Sequence, residues 1–467
     1  MIRKSTTKSV ISSLLLAFVL WACSGNDTAS LLEKIPANAK CVTIVNLKNI
    51  VIQSGCKIEQ DGQITLTPQL ESFLEKGDVA TNTLFQIISK TASFINTEKM
   101  AWFVPNNYNG AVLIFDINNK DQLNQYLSSS SVVSTSQAGY SIYAFPECVV
   151  LTKGNSGWIA RDANTVIEIQ NSIGKKHFAA FSPVREFLEN DPHDIETVIN
   201  NSENTASELQ YILGLANFKS SGIFAEFSFM DAEGKIYRFS NNIHEVERDL
   251  LKYVPSQTQI LFAFGKIDDW DKIFNAIENE NLENIANKYA LYYHIAKDYL
   301  RKINGTTLLA LAPFAGSQSL LNLSPETWQI LFMSHLSQED TDEILSTARM
   351  FVGYQFGMTE EDDNNNNYKL KLGNYEITFG EIEDYIFASN YDILEGGNTN
   401  MAPAYESKRA VAQLTIPYGS ETMKALELPW GVDFNISLNG TNVMFVLRLP
   451  GANGPVLANL IQYLSLQ

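Results

Sequence analysis

Charged residues are scarce in this sequence, 18% of 467, against about a quarter in an ordinary soluble chain. Those present lean to one sign, with 34 Lys and Arg against 52 Asp and Glu. No Lys/Arg cluster interrupts that balance. An acidic surface repels phosphate backbones, so no nucleic-acid partner is expected. Cysteine is nearly missing: Cys23, Cys41, Cys56 and Cys148 are too few for a disulfide framework. Cys41 and Cys148 sit in apolar, strand-like runs (CVTIV, FPECVVL) that read as buried thiols, while a Cys41–Cys56 bridge stays open. There is no CxxC, and His177, His193, His244, His294 and His335 stand far apart, so no metal site and no cofactor are expected. After the N-terminus, no run reaches the 18 or so apolar residues that a membrane-spanning helix needs.

What is present begins with the leader. Arg3, Lys4 and Lys8 precede a short apolar run, Val10 to Val19, broken only by Ser12 and Ser13. A positive flank, a short apolar core and a small-residue exit describe a secretory signal peptide over residues 1–22. The exit Leu20-Trp21-Ala22-Cys23 resembles the lipobox of bacterial lipoproteins. That resemblance implies lipidation of Cys23, cleavage before it and acylation of the new amino group. Several acyl chains, at about 0.8 kcal/mol per buried methylene, make a stable anchor. Residues 23–32 read as a lipidated tether, beginning with the small polar stretch Ser24 to Ala29. Three cations leave with the leader, so 31 remain against 52 carboxylates, a net charge of −21 for residues 23–467.

The remainder carries 45% hydrophobic and 11% aromatic residues, enough for a folded core. Two segments echo each other. Ile35-Pro36 opens a polar turn before Cys41–Val45, and Val254-Pro255 opens one before Ile260–Phe264. Ala111–Phe115 followed by a helix-like Lys120–Leu127 is answered by Trp328–Phe332 and Asp340–Ala348. Trp158–Ala160 is answered by Tyr385–Ala388. The hairpin Phe224–Phe229 with Ile236–Phe239 is matched to Phe434–Leu438 with Val443–Leu447, the latter across an Asn439-Gly440 turn. Helices are expected after Thr67-Pro68 and Ser182-Pro183 and over 282–303, where an aromatic stripe repeats every three to four residues. The polar run Thr359–Asn367 reads as a solvated insertion. The expected fold class is α+β: two tandem related units of mainly antiparallel sheet with helices packed on one face, over residues 33–245 and 250–467.

The lipobox, the Ile35-Pro36 opening, the strand and turn Trp102-Phe103-Val104-Pro105-Asn106-Asn107 and the restart at Val254-Pro255 together resemble one group. It is the large lipoproteins of Bacteroidetes assigned to a family of unknown function. The resemblance spans most of the mature chain and implies an outer-membrane, periplasmic or surface-facing lipoprotein of the cell envelope, with no particular activity. It also makes Asp27-Thr28-Ala29 look like that phylum's O-glycosylation triplet, with Thr28 as acceptor.

Catalytic motifs are lacking. Gly154-Asn155-Ser156-Gly157 is no nucleophile elbow. The Ser54-x-x-Lys57 and Ser172-x-x-Lys175 pairs have no companion motifs. Asp116–Asp121 lacks the glycine and glutamate of a calcium loop. Glu381 and Glu383 would share one face of an extended strand, at a spacing compatible with glycosidase chemistry; a solvated turn is the plainer reading. Tyr108 and Trp430 are placed to stack on sugars or simply to pack. The sequence therefore predicts a non-catalytic binding or assembly protein, anchored to the membrane through lipid, with a protein or glycan ligand. The alternative is a carbohydrate-active enzyme whose carboxylates converge only in the fold.

Overall fold

The structure is a computed structural model. It describes residues 28–465 apart from 76–78, 107, 109, 175, 181, 190–192, 202–208, 273, 275–296, 315–319, 321–322, 357–359, 363–366, 373 and 394–405. The expected signal peptide, Cys23 and most of the 282–303 helix lie outside the described residues. The chain divides into two compact units, Met1–Tyr237 with Ala452–Gln467, and Arg238–Gly451.

The first unit is built on ten strands: β1 (Cys41–Val45), β2 (Ile95–Val104), β3 (Val112–Ile117), β4 (Val133–Gln137), β5 (Tyr140–Phe145), β6 (Cys148–Lys153), β7 (Ser156–Ala160), β8 (Ile195–Asn200), β9 (Tyr211–Lys219) and β10 (Gly222–Met230). Every pairing is antiparallel, and their order across the sheet is β10-β9-β8-β1-β2-β3-β7-β6-β5-β4. Its helices are α1 (Thr28–Leu32), α2 (Leu47–Gln53), α3 (Pro68–Glu75), α4 (Val79–Thr91), α5 (Lys120–Ser130), α6 (Ala163–Ile173) and α7 (Ser182–Glu189). The C-terminal helix Val456–Ser465 returns to this unit.

The second unit also has ten described strands: β11 (Ile260–Phe264), β12 (Ile303–Pro313), β13 (Trp328–Leu336), β14 (Glu360–Asp362), β15 (Asn367–Leu372), β16 (Tyr375–Ile382), β17 (Tyr385–Ser389), β18 (Ala410–Ile416), β19 (Val432–Leu438) and β20 (Asn442–Arg448). They run β20-β19-β18-β11-β12-β13-β17-β16-β15-β14, again antiparallel throughout. Helices α8 (Gln338–Phe356) and α9 (Glu421–Ala425) complete the described elements used below. Strand n of the first unit takes the same place as strand n+10 of the second.

Sheet dominates both units, and this corrects the expectation of helices packed on one face. In the first unit helices cover both faces of the sheet. Along β1, Val42 and Ile44 point to one face, with Phe103 and Ala101 opposite them on β2. These side chains join Leu31 and Leu32 of α1, Val166 and Ile169 of α6 and Val184 and Leu188 of α7 in one buried cluster. Val45, Met100, Trp102 and Leu113 point the other way and meet α2, α3, α4 and the C-terminal helix. The cause is visible in the strands: CVTIV is buried on both sides of its pleat, and VLIFDI nearly so. Strands without polar alternation need cover on two faces.

One echo is displaced. By position in the sheet, the hairpin β19–β20 corresponds to β9–β10, the pair Tyr211–Lys219 and Gly222–Met230. Beyond Met230 the expected second strand reduces to a single bridge, Met230 to Ile236, and a 3-10 turn at Phe239–Asn241. The turn between them is real, with Asp231 accepting the Glu233 and Lys235 amides at 2.9 Å each. It closes no strand pair.

Candidate functional site: an apolar cavity under the first sheet

The side of the first sheet away from α1, α6 and α7 encloses a cavity. Its floor is Val45 of β1, Met100 and Trp102 of β2 and Leu113 of β3, adjacent by register: Val45 faces Met100 and Trp102 faces Leu113. Its roof is helical. Leu47, Ile50 and Val51 come from α2, Leu70 from α3, Leu84, Phe85 and Ile88 from α4, and Leu457 and Ile461 from the C-terminal helix. Ile64 and Leu66 close one side.

Local sequence sets these helices. Asn46 caps α2 by accepting the Asn49 amide at 3.0 Å, and Thr67 accepts the Leu70 amide at 3.2 Å at the start of α3. Asn49 in turn donates its side-chain amide to Asp194, whose other oxygen takes the Phe218 amide at 2.7 Å. Burial pushes the Asp194 carboxyl above its ordinary value despite these bonds. Asp194 thus ties α2 to strands β8 and β9.

The enclosed space is about 80 Å³ and opens into about 870 Å³ of empty space when its mouth is counted. No ionisable side chain lines it. The two hydroxyls that do are spent: Ser54 donates to the Val51 carbonyl at 2.8 Å and Ser89 to the Gln86 carbonyl at 3.0 Å. One polar group is left. The indole Nε1 of Trp102 is shut from solvent and has no hydrogen-bond partner among the described residues. A buried N–H without an acceptor costs on the order of 1–3 kcal/mol.

A polar cluster in the second unit is different in kind. Glu247 accepts the Thr306 amide at 3.0 Å, His335 Nδ1 at 3.0 Å and the Tyr385 hydroxyl at 3.3 Å. Burial, then the Glu247 carboxylate, push the Tyr385 hydroxyl far above the usual tyrosine value. The nearby hydroxyls Thr307 and Ser334 bond each other at 2.8 Å and lie on the other face of their strands from His335. The carboxylate is consumed in fastening the segment before β11 to β12, β13 and β17.

The residues singled out in sequence are dispersed. Thr28 is the first residue of α1. Glu381 belongs to β16, but Glu383 sits in the following turn at φ 53° and pairs with Lys252 at 2.7 Å. The hydrogen bond from Lys252 holds the Glu383 carboxyl below its ordinary value, so the two glutamates do not form an acid/base pair. Ser156 lies in β7 just past the turn at Gly154, and Ser172 donates to the Ile169 carbonyl of its own helix at 2.8 Å. Asp116 pairs with Lys34 at 3.1 Å. Cys41, Cys56 and Cys148 are free thiols. Among the described residues no group of three or more His, Cys, Asp or Glu is arranged to hold a metal ion. Trp430 is buried, and the Tyr108 hydroxyl donates to Glu168 at 2.9 Å. No described helix is long and apolar enough to cross a membrane.

The cavity itself is absent from the sequence expectations. Its signal was Trp102 flanked by Ala101 and Phe103 in an apolar strand: such a strand needs cover on two faces, and an indole needs an acceptor.

No family model and no curated protein matches this sequence. Solved structures that share some of its backbone include crystal forms IV, I and III of TP0453. Their TM-scores are 0.28, 0.29 and 0.29, with identities of 8%, 8% and 10%. The matches cover 43%, 44% and 46% of this chain and 79%, 80% and 88% of theirs. Likeness that faint carries no inference about what this chain does.

Proposed function

We propose that this chain is a non-catalytic binding protein of the cell envelope, anchored through acylated Cys23, whose first unit holds an apolar ligand in the cavity under its sheet. The observation that supports this reading is the lining. A space walled by aliphatic and aromatic side chains, with both hydroxyls already bonded, offers hydrophobic contact and no acid, base or nucleophile. Each methylene moved from water into such a site contributes about 0.8 kcal/mol. The rival reading, a carbohydrate-active enzyme, needs two facing carboxylates, and Glu383 is committed to Lys252.

Two measurements test the reading. Metabolic labelling with palmitate is expected to mark the wild-type chain and not Cys23→Ser. The Cys23→Ser protein is expected to take up 1-aminoanthracene, a small apolar fluorophore, and to lose that uptake when Leu113→Trp fills the floor. Hydrolysis of a glycan by the purified protein, abolished by removing one carboxylate, would overturn the reading.

A further inference from the structure

The cavity's walls and its one unspent polar group define a chemical class of ligand more narrowly. We infer that the cavity takes a single acyl chain from outside the molecule, and that the chain's carbonyl oxygen accepts a hydrogen bond from Trp102 Nε1. This rests on the cavity being a binding site at all.

The enclosed space decides between ligand shapes. An apolar cavity of ~150 Å³ accepts a benzene ring. At about 80 Å³ this one admits a few methylenes, while the roughly 870 Å³ that includes the mouth leaves room for the rest of an extended chain. A ring system or a branched lipid core is too wide for the inner part. A polar headgroup has nothing to meet there, because Ser54 and Ser89 donate to their own helices. The lone donor on offer is the Trp102 indole. A single acceptor joined to a hydrocarbon tail is an acyl group, as in a carboxylic acid or an ester.

The second unit supports the assignment by contrast. Strand positions equivalent to Val45, Met100, Trp102 and Leu113 hold Phe264, Thr307, Leu309 and Phe332, by the matching registers. The donor of Trp102 becomes a leucine, so the acyl-accepting feature belongs to the first unit alone.

The source of the chain follows from the faces of the sheet. Five residues beyond Cys23, α1 packs with the cluster on the face opposite the cavity. β1 lies three strands in from the nearer sheet edge. A lipid on Cys23 therefore starts on the wrong side of the sheet, and a chain supplied by the membrane or by free fatty acid has the direct approach.

The test uses the Cys23→Ser protein, with displacement of a dansylaminoundecanoate probe by methyl laurate, methyl caprate and dodecane. Affinity is expected to rise about fourfold per methylene. Trp102→Phe, which keeps an aromatic floor, is expected to weaken methyl laurate about three- to tenfold and to leave dodecane unchanged. Equal effects on both, or none on either, overturn the carbonyl contact and leave the cavity as a binding site. Failure of every apolar compound to bind overturns the binding reading as well. Leu84→Trp, at a half-buried site on α4, serves as a second variant and is expected to abolish all binding with the fold intact by circular dichroism. The lipidated wild-type protein in detergent is expected to bind methyl laurate as Cys23→Ser does. Blocked uptake in the lipidated form would overturn the outside source.

Discussion

A carboxylate in this fold is mostly a fastener. Glu247 gathers an amide, an imidazole and a phenol, and Glu247→Ala strands the Thr306 amide and the Tyr385 hydroxyl. A cost of about 1–3 kcal/mol is expected, read as a lower urea midpoint with an unchanged slope. Tyr385 adds a pH dependence. Its folded pKa lies above the unfolded value of about 10, so its contribution is complete below pH ~10 and is lost as the pH climbs further. Urea midpoints measured across the alkaline range should fall less steeply for Tyr385→Phe than for the wild type. At this scale the sequence was a poor guide. Glu381 and Glu383 looked paired because strand alternation was assumed to run through Asp384. A turn with Glu383 at positive φ ended it and turned that carboxylate to Lys252.

Strands announced themselves better than their partners did. CVTIV, ILFAF, the Trp158–Ala160 strand and the Tyr385–Ala388 strand all fall where their apolar runs placed them. The final hairpin was legible because Asn439-Gly440 marks its turn. Its match in the first half was not, because Ser220-Ser221 is a weaker turn signal than Asp231–Gly234, and local turn chemistry outranked sheet order in the reading. The number of covered faces was likewise hidden, since periodicity tells which residues are buried and not by what. Two glycines separate packing from propensity. A Cβ on Gly157 in β7 would lie 2.2 Å from the Phe115 ring, its cross-strand neighbour on β3. Gly157→Ala is expected to cost about 1–3 kcal/mol in denaturant melts. A Cβ on Gly353 in α8 meets nothing within 4 Å, so Gly353→Ala is expected to raise stability by up to about 1 kcal/mol.

Over the whole chain, the reading joins a leader that resembles a lipobox to a body whose first unit shelters an apolar space. Neither half implies the other. The anchor was legible because a signal peptide and its exit are contiguous in sequence. The cavity was not, because its walls come from β1, β2, β3, α2, α3, α4 and a helix at the far end of the chain. Only closure of the sheet's second face brings Trp102 and Ile461 to one space. The account predicts that truncation before Val456, which removes Leu457 and Ile461 from the roof, leaves the sheet's circular dichroism in place while apolar uptake is lost.

The central claim is that an extended acyl chain lies between β1–β3 and the helices above them. Anomalous diffraction from crystals of the Cys23→Ser protein grown with 12-bromododecanoate tests it most directly. The account predicts a bromine peak inside the cavity, between Leu113 and the C-terminal helix, with the carboxyl end toward Trp102 Nε1. Well-diffracting crystals with an empty cavity, or bromine found only on the outer surface, would contradict it.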